Sequence, residues 1–206
     1  MDISVWIWSI PALVIAIVGH EVGHGYVSYL LGDETAKRDG RLSLNPLDHI
    51  DPMGLLFMIV FRFGWAKAVP IDPSRYKNRR QGMILVSLAG VGVNFVFALI
   101  SAVFLWWTSR AGYAISNFFF HSLWYNTMLG VFNLVPLPPL DGSKVLASLL
   151  PRDMEYAFYR YERYFYILLF VGVITGVISR VIGPIIYALM DVFLRFGESI
   201  GSVFLY

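Results

Sequence analysis

Long apolar stretches constrain the fold of this chain more than any other feature. A helix needs about 20 apolar residues to cross the hydrocarbon core of a bilayer. Five stretches approach that length: Val5–Leu31, Met83–Trp107, Tyr113–Val135, Tyr164–Ile178 and Val181–Phe196. Only 15% of the residues are charged, whereas soluble domains carry about 25%. We therefore predict an all-α polytopic membrane protein with about five transmembrane helices.

Two parts of this outline stay open. Only Ser179 and Arg180 separate the last two stretches, so residues 164–196 form either two spans or one long bent helix. The run Gly54–Phe61, between the first and second stretches, is too short to cross, and its β-branched residues indicate a small β-strand or re-entrant segment. We expect one membrane-embedded domain over residues 1–206, with a core at 5–148 and additional C-terminal helices at 154–206.

Composition limits the class of function. The formal net charge is only +2 and no basic patch is interleaved with aromatic residues, so a nucleic-acid partner is not expected. Cysteine is absent, which excludes disulfides and cysteine ligands. No basic region precedes the first apolar stretch, which predicts a retained helix and not a cleaved signal peptide. The sequence makes no prediction of an oligomeric state.

The distribution of positive charge predicts the orientation in the membrane. Nine lysines and arginines lie between the first and second stretches and four follow the third, whereas the opposite loops hold only Arg110 and Arg180. Cytoplasmic loops carry the excess of such residues. We therefore predict a multi-pass protein of the cell membrane with its amino terminus outside.

The first apolar stretch ends in a group of polar residues, His20-Glu21-Val22-Gly23-His24. A helix advances about 100° per residue, so His20 and His24 point the same way. Two imidazoles on one face are half of a tetrahedral zinc site, and Glu21 lies where a hydrolase needs a general base. Ionisable groups at the bilayer centre cost about 2.5–3.5 kcal/mol each. A bound metal is the partner that offsets this cost.

A third metal ligand has three candidate locations: His121, the 39–51 connection (Asp39, Asp48, His49 and Asp51), and Asp141. His121 falls nearer the outer face on the predicted topology, and the connection has the composition of a solvated loop. Asp141 follows the segment Pro136–Pro139, which cannot continue a helix. Irregular backbone at membrane depth is tolerated only inside protein or at a wet cavity. We therefore favour Asp141 as the ligand over its alternative role as a helix cap.

Together these motifs resemble the site-2 protease family of intramembrane zinc metalloproteases, peptidase family M50. The family pattern has His-Glu-x-x-His on one helix and Asn-x-x-Pro-x-x-Pro-x-x-Asp-Gly on a later one, as in His20–His24 and Asn133–Gly142. Gly64–Pro70 and Ser87–Asn94 are similar to two further family motifs, with Ala68 and Val91 in place of prolines. The chain looks like a minimal member without a PDZ or CBS domain.

The resemblance implies a zinc metalloendopeptidase that hydrolyses peptide bonds within or near transmembrane helices of membrane protein substrates. Glu21 is then the general base, and His20, His24 and Asp141 hold one Zn²⁺ per chain, toward the cytoplasmic side of the lipid bilayer. Asn94 and Asn133 are expected to contact the substrate backbone or the oxyanion. From the residues alone, Asn94 also fits a cross-link between helices beside Gly90, and Asn133 a cap for carbonyls freed by the proline break.

Two alternatives belong to other functional classes. A zinc-handling membrane transporter also places His and Asp inside lipid, but it does not require Glu21 beside the ligands. A catalytically inactive family member binds transmembrane partners without cutting them, and it does not require Glu21 either. For the protease, we expect an exposed strand edge in the 42–61 segment to pair with the unwound substrate.

Overall fold

The computed structural model describes residues 3–61, 65–108 and 113–203. Three residues used in the predictions above lie outside these ranges: Gly64, Arg110, and Arg62, which is one of the nine basic residues between the first two apolar stretches. The described residues form nine α-helices: α1 (Ile3–Leu30), α2 (Thr35–Arg38), α3 (Pro52–Phe61), α4 (Arg79–Thr108), α5 (Tyr113–Asn133), α6 (Asp141–Leu149), α7 (Arg152–Arg160), α8 (Glu162–Ile174) and α9 (Val177–Val203). They contain no sheet, so the predicted all-α class is confirmed.

Three of the described helices are long and apolar enough to cross a membrane: residues Trp6–Leu30 of α1, the whole of α4 and the whole of α9. The prediction of about five spans is not confirmed. The helix α5 coincides with the third predicted span, but Asn117, His121 and Asn126 lower its hydropathy. The helix α8 has 13 residues and extends about 20 Å, which is short of the ~30 Å core.

The carboxyl-terminal stretches form two helices and not one bent helix. The chain breaks between α8 and α9 at Thr175 and Gly176, a few residues before the predicted joint at Ser179. Gly176 has a φ of 73°, in the left-handed region that glycine enters without a steric penalty. The position of this glycine therefore determines where the helix ends.

Of the two alternatives for residues 54–61, the β-strand is wrong, because these residues belong to α3, and the re-entrant segment stays a prediction. The Asp51 carboxylate accepts a hydrogen bond from the Gly54 amide at 2.8 Å, and Pro52 is the first residue of the helix. A capping side chain followed by proline is a strong helix start, and it outweighs the β-branched residues downstream. The strand edge expected for substrate pairing is therefore not found there. In this region one isolated antiparallel bridge is described, between Ile50 and Ala66.

The helices α1, α4 and α5 pack against one another, and α9 packs against α4 and α5. A buried apolar cluster joins α4, α5 and α9, and its members are Ala98, Ala102, Leu123, Val131, Ile182, Ile186, Met190 and Phe193. The opposite faces of α4, α8 and α9 leave large apolar side chains exposed, among them Leu85, Ile100, Ile167 and Ile185. Such continuous apolar surface is typical of contact with lipid.

The third predicted span ends just before Pro136–Pro139, as the sequence predicts. The helix α5 ends at Asn133, and α6 begins at Asp141 after the proline-rich turn. The start of α6 packs directly on this turn, since a side chain at Gly142 would overlap the Leu134 carbonyl. This packing brings Asp141 back toward α1 and α4.

Candidate active site

His20, His24 and Asp141 lie together although they come from segments far apart in the chain. Nε2 of His20 is 3.1 Å from Oδ2 of Asp141, and Nε2 of His24 is 3.0 Å from the same oxygen. The two Nε2 atoms are 3.0 Å apart. All three side chains are buried, with Asp141 only 4% exposed.

The three side chains fit a zinc ion. Nδ1 of His24 donates to the Val86 carbonyl at 2.7 Å, so in the neutral imidazole the ring lone pair is on Nε2. Nε2 and the Asp141 carboxylate face each other at 3.0 Å, an arrangement that a cation between them, either a proton or a metal ion, stabilises. Two imidazoles and a carboxylate are a common zinc donor set, and tetrahedral bonds of about 2.0–2.2 Å place ligand atoms about 3.3–3.6 Å apart. Within the described ranges, this is the one group of His and acidic side chains with metal-binding spacing.

Gly90 of α4 forms the wall of the site beside the two imidazoles. A Cβ atom at this position would lie 2.6 Å from Nε2 of His24 and 2.8 Å from Cε1 of His20. The backbone of α4 therefore contacts the rings directly, and no side chain fits between them. The sequence indicated Gly90 only as a small residue at a helix contact.

Asp141 is the first residue of α6, and Leu140 occupies the cap position. Asp141 therefore does not cap α6, which was the alternative role considered for it. Lys144, one turn later, donates to Oδ1 of Asp141 at 2.8 Å. This bond leaves Oδ2 as the oxygen that faces the histidines.

Glu21 is held by an extended segment, residues 65–70, that sequence reasoning did not connect with it. Oε2 of Glu21 accepts a hydrogen bond from the Val69 amide at 2.9 Å. Nη2 of Arg41 donates to the Lys67 carbonyl at 2.7 Å, and the Lys67 amide donates to the His49 carbonyl at 2.9 Å. The Gly64–Pro70 motif marked this segment in the sequence. Its contact with Glu21 joins residues 48 positions apart, so it arises only when the chain folds.

A second buried carboxylate, Asp33, connects the end of α1 to the same side of the molecule. It accepts hydrogen bonds from the Ser28 hydroxyl at 2.8 Å and from the Asp72 amide at 2.7 Å, and others from Thr35. Burial raises the pKa of Asp33, but the hydrogen bonds from Thr35, Asp72 and Ser28 outweigh it and hold the pKa below its ordinary value. No motif in the sequence points to this residue.

The two predicted asparagines lie in different surroundings. Asn94 has no exposed surface, and its amide contacts His20, Ala16 and Asn126. Asn133 is partly buried at the end of α5 and donates to the Leu129 carbonyl at 3.1 Å. The described contacts do not include Asn133 in the His20–Asp141 cluster, and its contact with substrate stays a prediction.

The rejected ligand candidates lie outside the cluster. His121 binds the Asn117 carbonyl through Nδ1 at 2.8 Å, within its own helix. Asp51 caps α3. His49 is 2% exposed and binds the Ser43 carbonyl through Nε2 at 2.7 Å, so the expectation of a solvated loop is wrong at this residue.

Comparison with known proteins gives a consistent result. The family model for peptidase family M50 matches residues 108–179, which include Asp141. A protein of Bacillus subtilis named "Putative zinc metalloprotease YwhC" is 34% identical over 206 residues, an alignment that covers 96% of this chain and 94% of the relative. "Putative zinc metalloprotease Rip2" of Mycolicibacterium smegmatis is 28% identical over 92% of this chain and 75% of its own length. No solved structure gives a significant match.

The similarity to the Bacillus protein extends over nearly the whole of both chains. In this chain His20, His24 and Asp141 form a donor set of the kind that binds zinc. The protein is therefore a membrane metalloprotease, and its cofactor is zinc. The chain belongs to peptidase family M50, the site-2 protease family.

Proposed function

We propose that this protein is an intramembrane zinc metalloprotease that hydrolyses peptide bonds within or near the transmembrane helices of membrane protein substrates. The proposal depends above all on one observation. A His₂Asp donor set lies on α1 and α6, Glu21 is the neighbour of His20 in the chain, and α1 and the adjacent α4 are apolar enough to span a bilayer. Ionisable side chains inside membrane-spanning helices are costly and usually mark a functional site, so this location favours an intramembrane hydrolase over a soluble one.

His20, His24 and Asp141 are the residues that would hold the metal. When bound, zinc supplies a Lewis acid that polarises the scissile carbonyl and makes water acidic enough to attack near neutral pH. Glu21 accepts the proton of the attacking water and passes it to the leaving amine. The Val69 amide holds Oε2 of Glu21, so we assign the proton transfer to Oε1.

We also propose that the site opens toward the cytoplasmic side, with the amino terminus outside. His20 lies ten residues before the end of α1, which corresponds to about 15 Å along a helix. That distance keeps the site below the lipid surface. Lys77, Arg79 and Arg80 gather where α4 begins, and Arg152 lies beside them, as expected of a cytoplasmic boundary.

Replacement of Glu21 by Gln tests the assignment of the base. The variant keeps all three metal-binding groups, so we expect its zinc content to equal that of the unmodified protein. Cleavage of a membrane-embedded helical substrate should fall by at least about 100-fold, because general-base catalysis contributes that much or more. Both quantities are measured on the same reconstituted sample.

The matched control is Glu34→Gln, which changes an exposed glutamate that pairs with Arg38. It should cleave at the normal rate. Normal cleavage by Glu21→Gln would remove Glu21 from the mechanism. Zinc flux into vesicles without any proteolysis would instead identify a transporter.

A further inference from the structure

A chain of buried amide groups leads from His20 through α4 to α5. We propose that Asn94 and Asn126 are positioning residues, which fix the tautomer and the orientation of His20 so that its Nε2 faces the metal. The inference rests on the zinc site of the proposed function. It gives Asn94 a different task from the substrate or oxyanion contact that the family resemblance implies.

The direction of the chain at Asn94 follows from a backbone carbonyl. One amide atom of Asn94 lies 3.0 Å from the Ala16 carbonyl oxygen. A carbonyl oxygen only accepts hydrogen bonds, so this atom is the nitrogen and the other is the oxygen. That oxygen lies 2.7 Å from Nδ1 of His20. Nδ1 of His20 therefore carries a hydrogen, and in the neutral imidazole the ring lone pair is on Nε2, which faces Asp141.

Asn126 fixes Asn94 by the same logic. Its amide nitrogen donates to the Ser122 carbonyl at 2.9 Å, so its oxygen is the atom that accepts from Asn94 at 3.0 Å. Asn126 also has no exposed surface. The backbone carbonyls of Ala16 and Ser122 thus determine the direction of the two hydrogen bonds that link Asn126 to Asn94 and Asn94 to His20.

Both amide hydrogens of Asn94 are used inside the protein, and so is its oxygen. A residue that stabilises a developing oxyanion needs a free donor aimed at the substrate, and Asn94 offers none. A partner on the second ring nitrogen of a metal-binding histidine fixes the tautomer and raises the basicity of the ligand. Asn94 acts on the reaction through His20 alone.

Zinc affinity of full-length variants tests the inference without any substrate. We expect Asn94→Ala to weaken zinc binding by about 10- to 100-fold, the usual effect of losing such a partner. Asn126→Leu should weaken it less, because Asn94 keeps its bond to Ala16. The dissociation constants are measured by competition with a chromophoric chelator in detergent.

Thr127→Val is the matched control. Thr127 follows Asn126 on α5 and has no exposed surface, but its hydroxyl donates only to the Leu123 carbonyl of its own helix at 2.8 Å. Its zinc affinity should be unchanged. An Asn94→Ala variant with normal zinc affinity would overturn the inference, and a raised KM in that variant would identify a substrate contact.

A measurement on the unmodified protein keeps the inference testable if these variants do not fold. In protein labelled with ¹⁵N-histidine, Nδ1 of His20 should carry a hydrogen both before and after zinc is added, and only the Nε2 signal should shift with zinc. An Nδ1 without hydrogen would overturn the inference. If the protein binds zinc and cleaves its substrate but Nδ1 carries no hydrogen, the positioning role of Asn94 is wrong and the proposed function still holds. If the protein binds no zinc, both the positioning role and the proposed function are wrong.

Discussion

At Gly90, a hydrogen atom in place of a side chain lets α4 contact the two imidazoles of the site. Asp141 approaches the same rings from α6, and Lys144 holds its other oxygen. The site therefore depends on residues that contribute space and orientation as well as on those that contribute ligand atoms.

We expect Gly90→Ala to reduce zinc affinity by at least about tenfold, because the added methyl group overlaps both rings and such overpacking costs about 1–3 kcal/mol. Gly92→Ala is the control on the same helix, since its Cβ would have no neighbour within 4 Å. Zinc dissociation constants of the two variants give the comparison. Equal affinities would mean that α4 does not confine the imidazoles.

The sequence predicted the convergence of His20, His24 and Asp141 better than the contacts that surround them. His20 and His24 lie one turn apart on a helix, so their shared direction follows from helical geometry. Asp141 was selected because the prolines before it end a helix. The roles of Gly90, Val69 and Asp33 depend on which segments meet after folding, and local sequence does not encode that.

Among the elements, segment 65–70 is the one that binds the Glu21 carboxylate, the proposed general base. Its Val69 amide holds Glu21, while Arg41 and His49 hold the segment through Lys67. Arg41 also lies 3.3 Å from the Ala68 carbonyl. Arg41 therefore positions the segment, and the segment positions Glu21.

Removal of this support should lower kcat without loss of the metal. We expect Arg41→Gln to reduce kcat by about tenfold, a part of the 10²–10⁴ that a general base contributes, with unchanged zinc content. Arg38→Gln is the control, because Arg38 is exposed and pairs only with nearby Glu34 among the described contacts. Full kcat in Arg41→Gln would show that the segment does not orient Glu21.

Two elements show why local patterns predicted the fold incompletely. The residues of α3 carry the β-branched side chains typical of strands, but Asp51 and Pro52 start a helix at their head. The break between α8 and α9 falls at Gly176 and not at the charged Arg180. In both cases one or two residues at an end of the segment outweighed the average preference of the rest.

In the molecule as a whole, α5 shows that a helix too polar to be a candidate span can still pack inside the helical bundle. Its Ser122, Asn126 and Thr127 lower the hydropathy, yet all three are buried against protein or bonded within the helix. Polar side chains that link helices are common inside membrane proteins. The bundle of α1, α4 and α5 therefore encloses both the metal-binding cluster and the amide chain that leads to it.

We propose that His20, His24 and Asp141 hold one zinc ion that hydrolysis requires. The most direct test measures zinc per chain and cleavage of a membrane-embedded helix on the same samples of the unmodified protein, Asp141→Ala and the exposed-site control Asp191→Ala. We predict about one zinc per chain and chelator-sensitive cleavage for the unmodified protein and Asp191→Ala, and loss of both for Asp141→Ala. Undiminished zinc in Asp141→Ala, or cleavage that continues after the metal is removed, would contradict this account.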